Sequence, residues 1–148
     1  MSTINRNGSR RHTVALFALL VCSAFIPALG HAEEEKDQPT KIPATSAAIW
    51  QAIDQQTAAL DQVIKAGKLD EVHHHAFAIR DLVNALPAKS TTLTAEQLAQ
   101  VKASGKFVAT LANRLDAAGD ARNMGGTLTH FQRLKDLLKT IRAHYKGA

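Results

Sequence analysis

The sequence predicts an all-α protein: an antiparallel, up-down-up-down four-helix bundle that follows a cleaved signal peptide. From Ser46 onward, apolar residues recur every three or four positions, which is the period of a helix with one buried face. Turn signals at Gly67, at residues 87–93 and at Gly119 divide this pattern into four segments. Such short connections favour antiparallel neighbouring helices, and no segment has a convincing strand pattern.

Each predicted helix has one apolar stripe. The helices are expected over about residues 46–66, 69–86, 94–118 and 121–145. In chain order, the stripes consist of Ile49, Ile53, Leu60 and Ile64; Val72, Ala76, Ile79, Val83 and Leu86; Leu98, Val101, Val108, Leu111 and Leu115; and Phe131, Leu134, Leu138, Ile141 and Tyr145. Residues 94–97 resemble a capping box at the start of the third helix. Gly67 and Gly119 are expected to end the first and third helices, and Pro87 follows the second.

The start of the fourth helix contains the pair Gly125-Gly126, which weakens a helix. One interpretation is a close backbone approach, or a local break that turns Met124 inward. The other interpretation is a helix that begins near Thr127.

The first 32 residues predict a secretory signal peptide, with a basic start, an apolar stretch over residues 13–29 and a small-residue cleavage motif. Cleavage is expected after Ala32, which leaves no membrane segment. An uncleaved membrane anchor is the alternative, but the apolar run is short and Pro27 interrupts it. Lipid attachment at Cys22 is disfavoured, because Val21 stands where a small residue is needed.

Removal of the signal peptide changes the composition of the chain. The whole chain has a formal net charge of +5, but three of its 18 cationic residues lie in the signal, so the remainder carries 15 against 13 acidic residues, or +2. With no basic stripe and few aromatic residues, a nucleic-acid partner is not expected. The only cysteine, Cys22, is lost as well, which excludes a disulfide, a thiolate metal site and a covalent haem linkage. Residues 33–45 are charged and contain two prolines, so we expect a flexible leader before the bundle of residues 46–148.

Three consecutive histidines lie inside the second predicted helix. Successive helix residues point about 100° apart, so the three side chains face different directions. Relative to the apolar stripe, His75 leans inward, His73 lies at the boundary and His74 faces solvent. In the predicted topology, the same end of the bundle also holds Asp116, Asp120, Asn123 and Met124.

These residues predict a transition-metal site at the turn end of the bundle. His75, Met124 and His73 are the candidate ligands, and Asp120 is placed to reach His73. Imidazole with a thioether suits copper, while imidazole with a carboxylate suits Zn(II), Ni(II) or Cu(II). Asn123 or a nearby aspartate is a candidate to orient a histidine ring. The alternative is that all of them are ordinary polar and packing side chains at a core boundary.

The sequence does not indicate an enzyme. The spacing suggests no Ser-His-Asp arrangement, no cysteine nucleophile survives signal cleavage, and the glycines do not follow a strand as a phosphate loop requires. A b-type haem needs two axial ligands that meet across the core, and His75 with Met124 is the only obvious pair. A b-type haem bundle with this pair as axial ligands is a further alternative, but no haem is expected.

The segment Glu71 to Pro87, EVHHHAFAIRDLVNALP, follows a secretory signal and resembles small periplasmic helical proteins associated with heavy-metal resistance and metal efflux systems of Gram-negative bacteria. The resemblance implies a periplasmic bundle that handles or senses a metal, with an efflux or sensor protein as partner. The chain lacks the histidine- and methionine-rich tracts of dedicated copper or silver sponges, which argues against high-capacity metal storage.

The competing interpretation is a helical interaction or adaptor module, such as a stress-sensor component, without a metal site. Phe77 lies opposite the apolar stripe of its own helix. It is therefore expected either to pack under the leader or to mark a contact with a partner or a second copy. A homodimer is compatible with either function.

Overall fold

The computed structural model describes residues 39–145. The predicted signal peptide and the first part of the leader lie outside the described residues. The described part contains four α-helices and no strand: α1 spans Ser46–Lys65, α2 Val72–Ala85, α3 Ala95–Asp120 and α4 Met124–Ala143. Two short 3₁₀ helices, Leu69–Glu71 and Leu86–Lys89, flank α2. The predicted all-α fold class is confirmed. Among residues 39–145, no helix is long and apolar enough to cross a membrane.

Polar side chains cap the first turns of three helices. The Thr45 hydroxyl accepts a hydrogen bond from a backbone N–H in the first turn of α1. At α3 the predicted capping box is confirmed, because the Thr94 hydroxyl accepts from the Gln97 N–H at 3.2 Å while the Gln97 amide oxygen accepts from the Thr94 N–H at 2.9 Å. The Asn123 side chain caps α4 with a single bond, in which its amide oxygen accepts from the Gly126 N–H at 2.9 Å. A cap of this kind stabilises a helix by about 1 kcal/mol.

Three helix boundaries differ from the prediction. The second helix begins with one 3₁₀ turn and becomes α-helical only at Val72. The predicted stop at Gly119 is wrong, because α3 continues through this residue. The fourth helix begins at Met124, which is neither the predicted Ala121 nor the alternative start near Thr127. Met124 does not turn inward either, since 37% of its surface is exposed.

Two residues in the left-handed backbone region end α1 and α3. Gly67 has a φ of +73°, which explains why glycine follows α1. The turn after α3 places Arg122 at a φ of +50°, where a non-glycine residue costs about 1–2 kcal/mol. There the Asn123 N–H donates to the Ala118 carbonyl oxygen at 2.8 Å, which closes the helix end. The left-handed residue that ends α3 is therefore Arg122, three residues after the predicted stop at Gly119.

The predicted stripes form one apolar core. All stripe residues are buried except Leu98 and Tyr145, which are half-buried. Consecutive helices pack against each other along the chain, whereas α1 and α4 approach each other closely at fewer positions than any of the three consecutive helix pairs, and we call their boundary the thinly packed seam. The largest fully buried side chains are Ile49, Ile53, Leu60, Ile64, Val72, Ile79, Leu82, Val83, Leu86, Leu115, Leu134 and Ile141.

The α2–α3 contacts run in opposite chain directions. Gly119, near the end of α3, lies so close to the start of α2 that an added Cβ would be 2.5 Å from the Leu69 carbonyl oxygen and 3.4 Å from the Cβ of Val72. Earlier in α3, a Cβ at Gly105 would lie 3.0 Å from the Asn84 side chain, near the end of α2. Both glycines are buried. The two helices are therefore antiparallel, and small residues allow their close approach.

Aromatic and charged side chains join α1 to α4 at the other end of the bundle. The Trp50 and Tyr145 rings meet edge to face with their centroids 5.6 Å apart. The Tyr145 hydroxyl lies 2.9 Å from the Ser90 hydroxyl. Arg142 forms an ion pair with Asp54 at 2.6 Å. The start of α1 therefore lies beside the end of α4, as an antiparallel arrangement requires.

We expect Gly119→Ala to destabilise the protein by about 1–3 kcal/mol, because the added methyl group has to displace the backbone at Leu69. Chemical unfolding followed by circular dichroism measures this loss. Gly125→Ala is the matched control, since its Cβ would lie at an ordinary 3.7 Å from the Asn123 side chain. Alanine in a helix is favoured over glycine by about 0.5–1 kcal/mol, so the control keeps or gains stability. Equal stability of Gly119→Ala and wild type would contradict the close approach.

Candidate functional site

The histidine run occupies the first turns of α2, and none of its three side chains is fully exposed. His73, His74 and His75 are all half-buried. The His73 and His74 rings lie with centroids 3.8 Å apart and planes inclined by 42°. His74, which the sequence places in solvent, therefore packs against its neighbour and lines a cleft on the side of α1.

His75 is oriented by a residue of α1. Its Nδ1 lies 2.8 Å from the Oε1 atom of Gln56. An amide oxygen only accepts hydrogen bonds, so Nδ1 of His75 carries a hydrogen. A second polar group that orients the ring in this way is typical of metal-binding histidines.

A cleft of about 590 Å³ lies between α1, α2 and the described end of the leader. Its polar wall contains His74, His75, Gln55, Gln56, Arg80 and Asp81. Phe77 lines the same cleft as Pro39 and Thr40, and it also packs against the apolar core. The cleft is thus lined by imidazole, amide and charged groups around one aromatic ring.

The leader reaches this cleft through Thr40. Its hydroxyl donates a hydrogen bond to a carboxylate oxygen of Asp81 at 3.1 Å. The other oxygen of Asp81 accepts from the Arg80 guanidinium at 2.8 Å, and that guanidinium also lies 4.5 Å from the centre of the Phe77 ring. These contacts attach the described part of the predicted leader to the outer side of α2.

The other predicted site residues lie at the α3–α4 turn. Asp116 is half-buried in α3, and Asp120 is its exposed last residue. Asn123 uses its side chain to cap α4, and Met124 is the exposed first residue of that helix. Within residues 39–145, no three side chains of the His, Cys, Asp and Glu types come close enough together to hold a metal ion. The contact seen for His75 joins it to α1, while Met124 belongs to the surface of α4.

Gln56 is the residue that sequence reasoning missed. It lies on the flank of the α1 stripe, and its amide has no chemical signature of its own. The position of Gln56 along α1 was the one signal in the sequence. In an antiparallel α1–α2 pair with a short turn at Gly67, the middle of α1 lies beside the histidine run. Glutamine at such a helix edge is usually a solvated residue, so this spacing alone does not single it out.

Comparison with known proteins does not assign this chain to a family. No family model, no curated protein and no solved structure matches it.

His130 is a second histidine in an unusual environment, on the α3-facing side of α4. Its Nδ1 atom is buried and has no hydrogen-bond partner within residues 39–145. Burial lowers the pKa of His130 below its usual value, and the positive charges of Arg114 on α3 and Arg133 on α4 lower it further. The fold therefore favours the neutral imidazole.

We expect His130 to make the fold acid-sensitive. Because its pKa is lower in the folded than in the unfolded chain, the unfolded chain takes up the proton first as the pH falls below about 6.5. The stability contributed by neutral His130 is therefore full above this pH and is lost as the pH falls towards the lowered folded pKa.

Chemical unfolding of wild type and His130→Gln at about pH 7.5 and about pH 5.5 checks this expectation. The wild type should lose more stability than the variant over this interval, and Arg114→Gln should reduce the loss. An equal change in wild type and His130→Gln would show that His130 does not contribute.

Proposed function

We propose that the chain is a periplasmic, non-enzymatic helical protein that binds a transition metal at the histidine run, in a metal-resistance or metal-sensing role. The hydrogen bond between His75 and Gln56 is the observation that carries this proposal. It holds the His75 ring against α1 through Nδ1, and such orientation raises the affinity of an imidazole for a metal.

His75 and His74 are the proposed ligands, because both line the cleft between α1 and α2. His73 stacks on His74 and supports its ring. Two imidazoles with water in the remaining positions suit Cu(II) best among the common divalent ions, ahead of Ni(II) and Zn(II). The thioether of Met124 lies on the surface of a different helix, which favours Cu(II) over Cu(I) as the ion at this cleft.

The cellular part of the proposal rests on the sequence. The signal-like first 32 residues lie outside the described residues and support export to the periplasm. The similarity of residues 71–87 to metal-resistance proteins supports an efflux or sensor protein as partner. Because the proposed ligand set is His74 and His75, the proposal is for sensing or delivery of single ions.

The test is a titration of the purified protein, free of any affinity tag, with Cu(II), Ni(II) and Zn(II) in competition with a chromophoric chelator. We expect Cu(II) to bind with a Kd below about 10 μM. Gln56→Leu should weaken binding about 10- to 100-fold while His75 remains in place, because the ring loses its orienting partner.

The controls separate the cleft from other histidines. His74→Gln and His75→Gln should each weaken Cu(II) binding, whereas His144→Gln, at the far end of α4, should not. Met124→Leu should leave Cu(II) affinity unchanged. A loss of affinity in Met124→Leu would favour the sequence-based pair of His75 and Met124 instead. No binding tighter than about 10 μM for any of the three ions would refute the metal site.

A helical interaction module is the second candidate, favoured by the exposed side chains of Phe107 on α3 and Leu128 on α4. Phe107 is 64% exposed and Leu128 is 50% exposed, so both present apolar surface to a partner. This function needs no histidine ligand, and a second copy of the chain is the simplest partner.

We expect this alternative, if correct, to show as concentration-dependent self-association in sedimentation equilibrium. Phe107→Ser should abolish the association because it removes the exposed aromatic ring, whereas Ala103→Ser, one turn away on the same helix, should not. A wild-type protein that stays monomeric at all concentrations would count against this use of Phe107.

A further inference from the structure

A groove of about 290 Å³ runs along the thinly packed seam between α1 and α4, on a different face from the histidine cleft. Its residues come from only these two helices. From α1 they are Trp50, Ile53, Asp54 and Thr57, and from α4 they are Lys135, Leu138, Lys139 and Arg142.

The floor of the groove is apolar and its α4 rim is cationic. Trp50, Ile53 and Leu138 are buried members of the core that also line the groove. Lys135, Lys139 and Arg142 lie on one face of α4, because residues three and four positions apart are neighbours on a helix. Apolar surface beside a row of positive charges suits a molecule with an apolar part and an anionic part.

An acidic group neutralises only one of the three rim cations. Among residues 39–145, Asp54 is the one acidic residue that lines the groove, and it pairs with Arg142 at 2.6 Å. Asp136, the nearest acidic neighbour on α4, accepts a hydrogen bond from the Gln132 amide instead. Within residues 39–145, no acidic partner is seen for Lys135 or Lys139, and Lys135 lies over the Phe131 ring at 4.7 Å.

Trp50 lines the groove with its ring, while its indole N–H is buried. The residue is 8% exposed, and its indole N–H has no acceptor within residues 39–145. The Arg142 guanidinium lies 4.4 Å from the centre of the same indole ring and also donates to the Trp50 carbonyl oxygen.

The size of the groove favours a small molecule over a partner helix. The Arg142–Asp54 ion pair joins the two rims, so a helix cannot lie along the whole seam without breaking it. Lys135 and Arg142 are seven residue steps apart on α4, so the groove is about 10 Å long. That length suits an acyl chain of medium length.

We propose that the α1–α4 groove binds a small amphipathic carboxylate, such as a medium-chain fatty acid. The acyl chain rests on Trp50, Ile53 and Leu138. The carboxylate bonds to Lys139 and Arg142, where it competes with Asp54 for the guanidinium. This site is separate from the proposed metal site and does not depend on it.

The single tryptophan of the chain makes the test direct, because all indole fluorescence comes from Trp50 at the groove. Decanoate, titrated below its micelle concentration at low ionic strength, should change the Trp50 emission saturably, and calorimetry should give the same Kd. Acetate has the head without the tail, and decyltrimethylammonium has the same tail with the opposite charge. Neither should bind in the groove.

Two variants assign the binding to the groove. The double variant Lys135→Gln/Lys139→Gln should weaken decanoate binding at least about 10-fold through loss of charge, whereas Lys102→Gln/Lys106→Gln on the exposed side of α3 should not change it. Thr57→Phe places a ring in the groove without altering its charge and should block binding, with circular dichroism used to verify that the helices persist.

Several results would overturn the proposal. They are the absence of a saturable response to decanoate, equal binding of decyltrimethylammonium, or wild-type affinity in Thr57→Phe. Binding of anionic phospholipid vesicles without binding of free decanoate would point to a membrane surface as the source of the anion and would also overturn it.

Discussion

The close approach of α3 to the start of α2 sets the level of the histidine run in the bundle. Gly119 lies against the Leu69 carbonyl group, and a methyl group in place of its hydrogen would collide with that backbone. Because protein cores are packed as densely as organic crystals, such a contact fixes the axial position of one helix against the other. The 3₁₀ turn of Leu69–Glu71 supplies the carbonyl, and α2 starts directly after it. The height of the histidine run in the bundle therefore follows from one glycine of α3.

The same contact explains why His74 and His75, which are residues of α2, lie beside α1 and not beside the α3–α4 turn. With the start of α2 held against α3 by its apolar face, His74 and His75 lie on the flank that meets α1, where Gln56 is at the matching height. The described end of the leader then reaches the same flank from outside, where Thr40 donates to Asp81. One side of α2 thus packs against the apolar core, and the adjoining side carries the polar side chains that line the cleft.

The sequence predicts the fold well because the signals of each helix lie within that helix. A stripe of apolar residues and a side chain such as Thr94 at the first turn act within one helix, so they can be recognised without knowing its neighbours. The candidate site is harder to predict, because its geometry depends on which neighbour a residue meets. The angle between His75 and its own stripe is known from the sequence, but that angle does not distinguish α1 from α4. Glycine has a related ambiguity: Gly67 ends a helix and Gly119 allows a close contact, yet the two look alike in the chain.

The thin seam between α1 and α4 has a consequence for how the molecule folds and opens. Its contacts join residues that are far apart in the chain, such as Asp54 and Arg142, whereas the α1–α2, α2–α3 and α3–α4 contacts join consecutive helices. Closing a long loop costs entropy before the contact is made, so we expect the consecutive hairpins to assemble early and the first and last helices to meet late. In the folded state, we expect local opening to cost the least free energy at this seam, because α1 and α4 approach each other closely at few positions, while the α2–α3 pair stays closed.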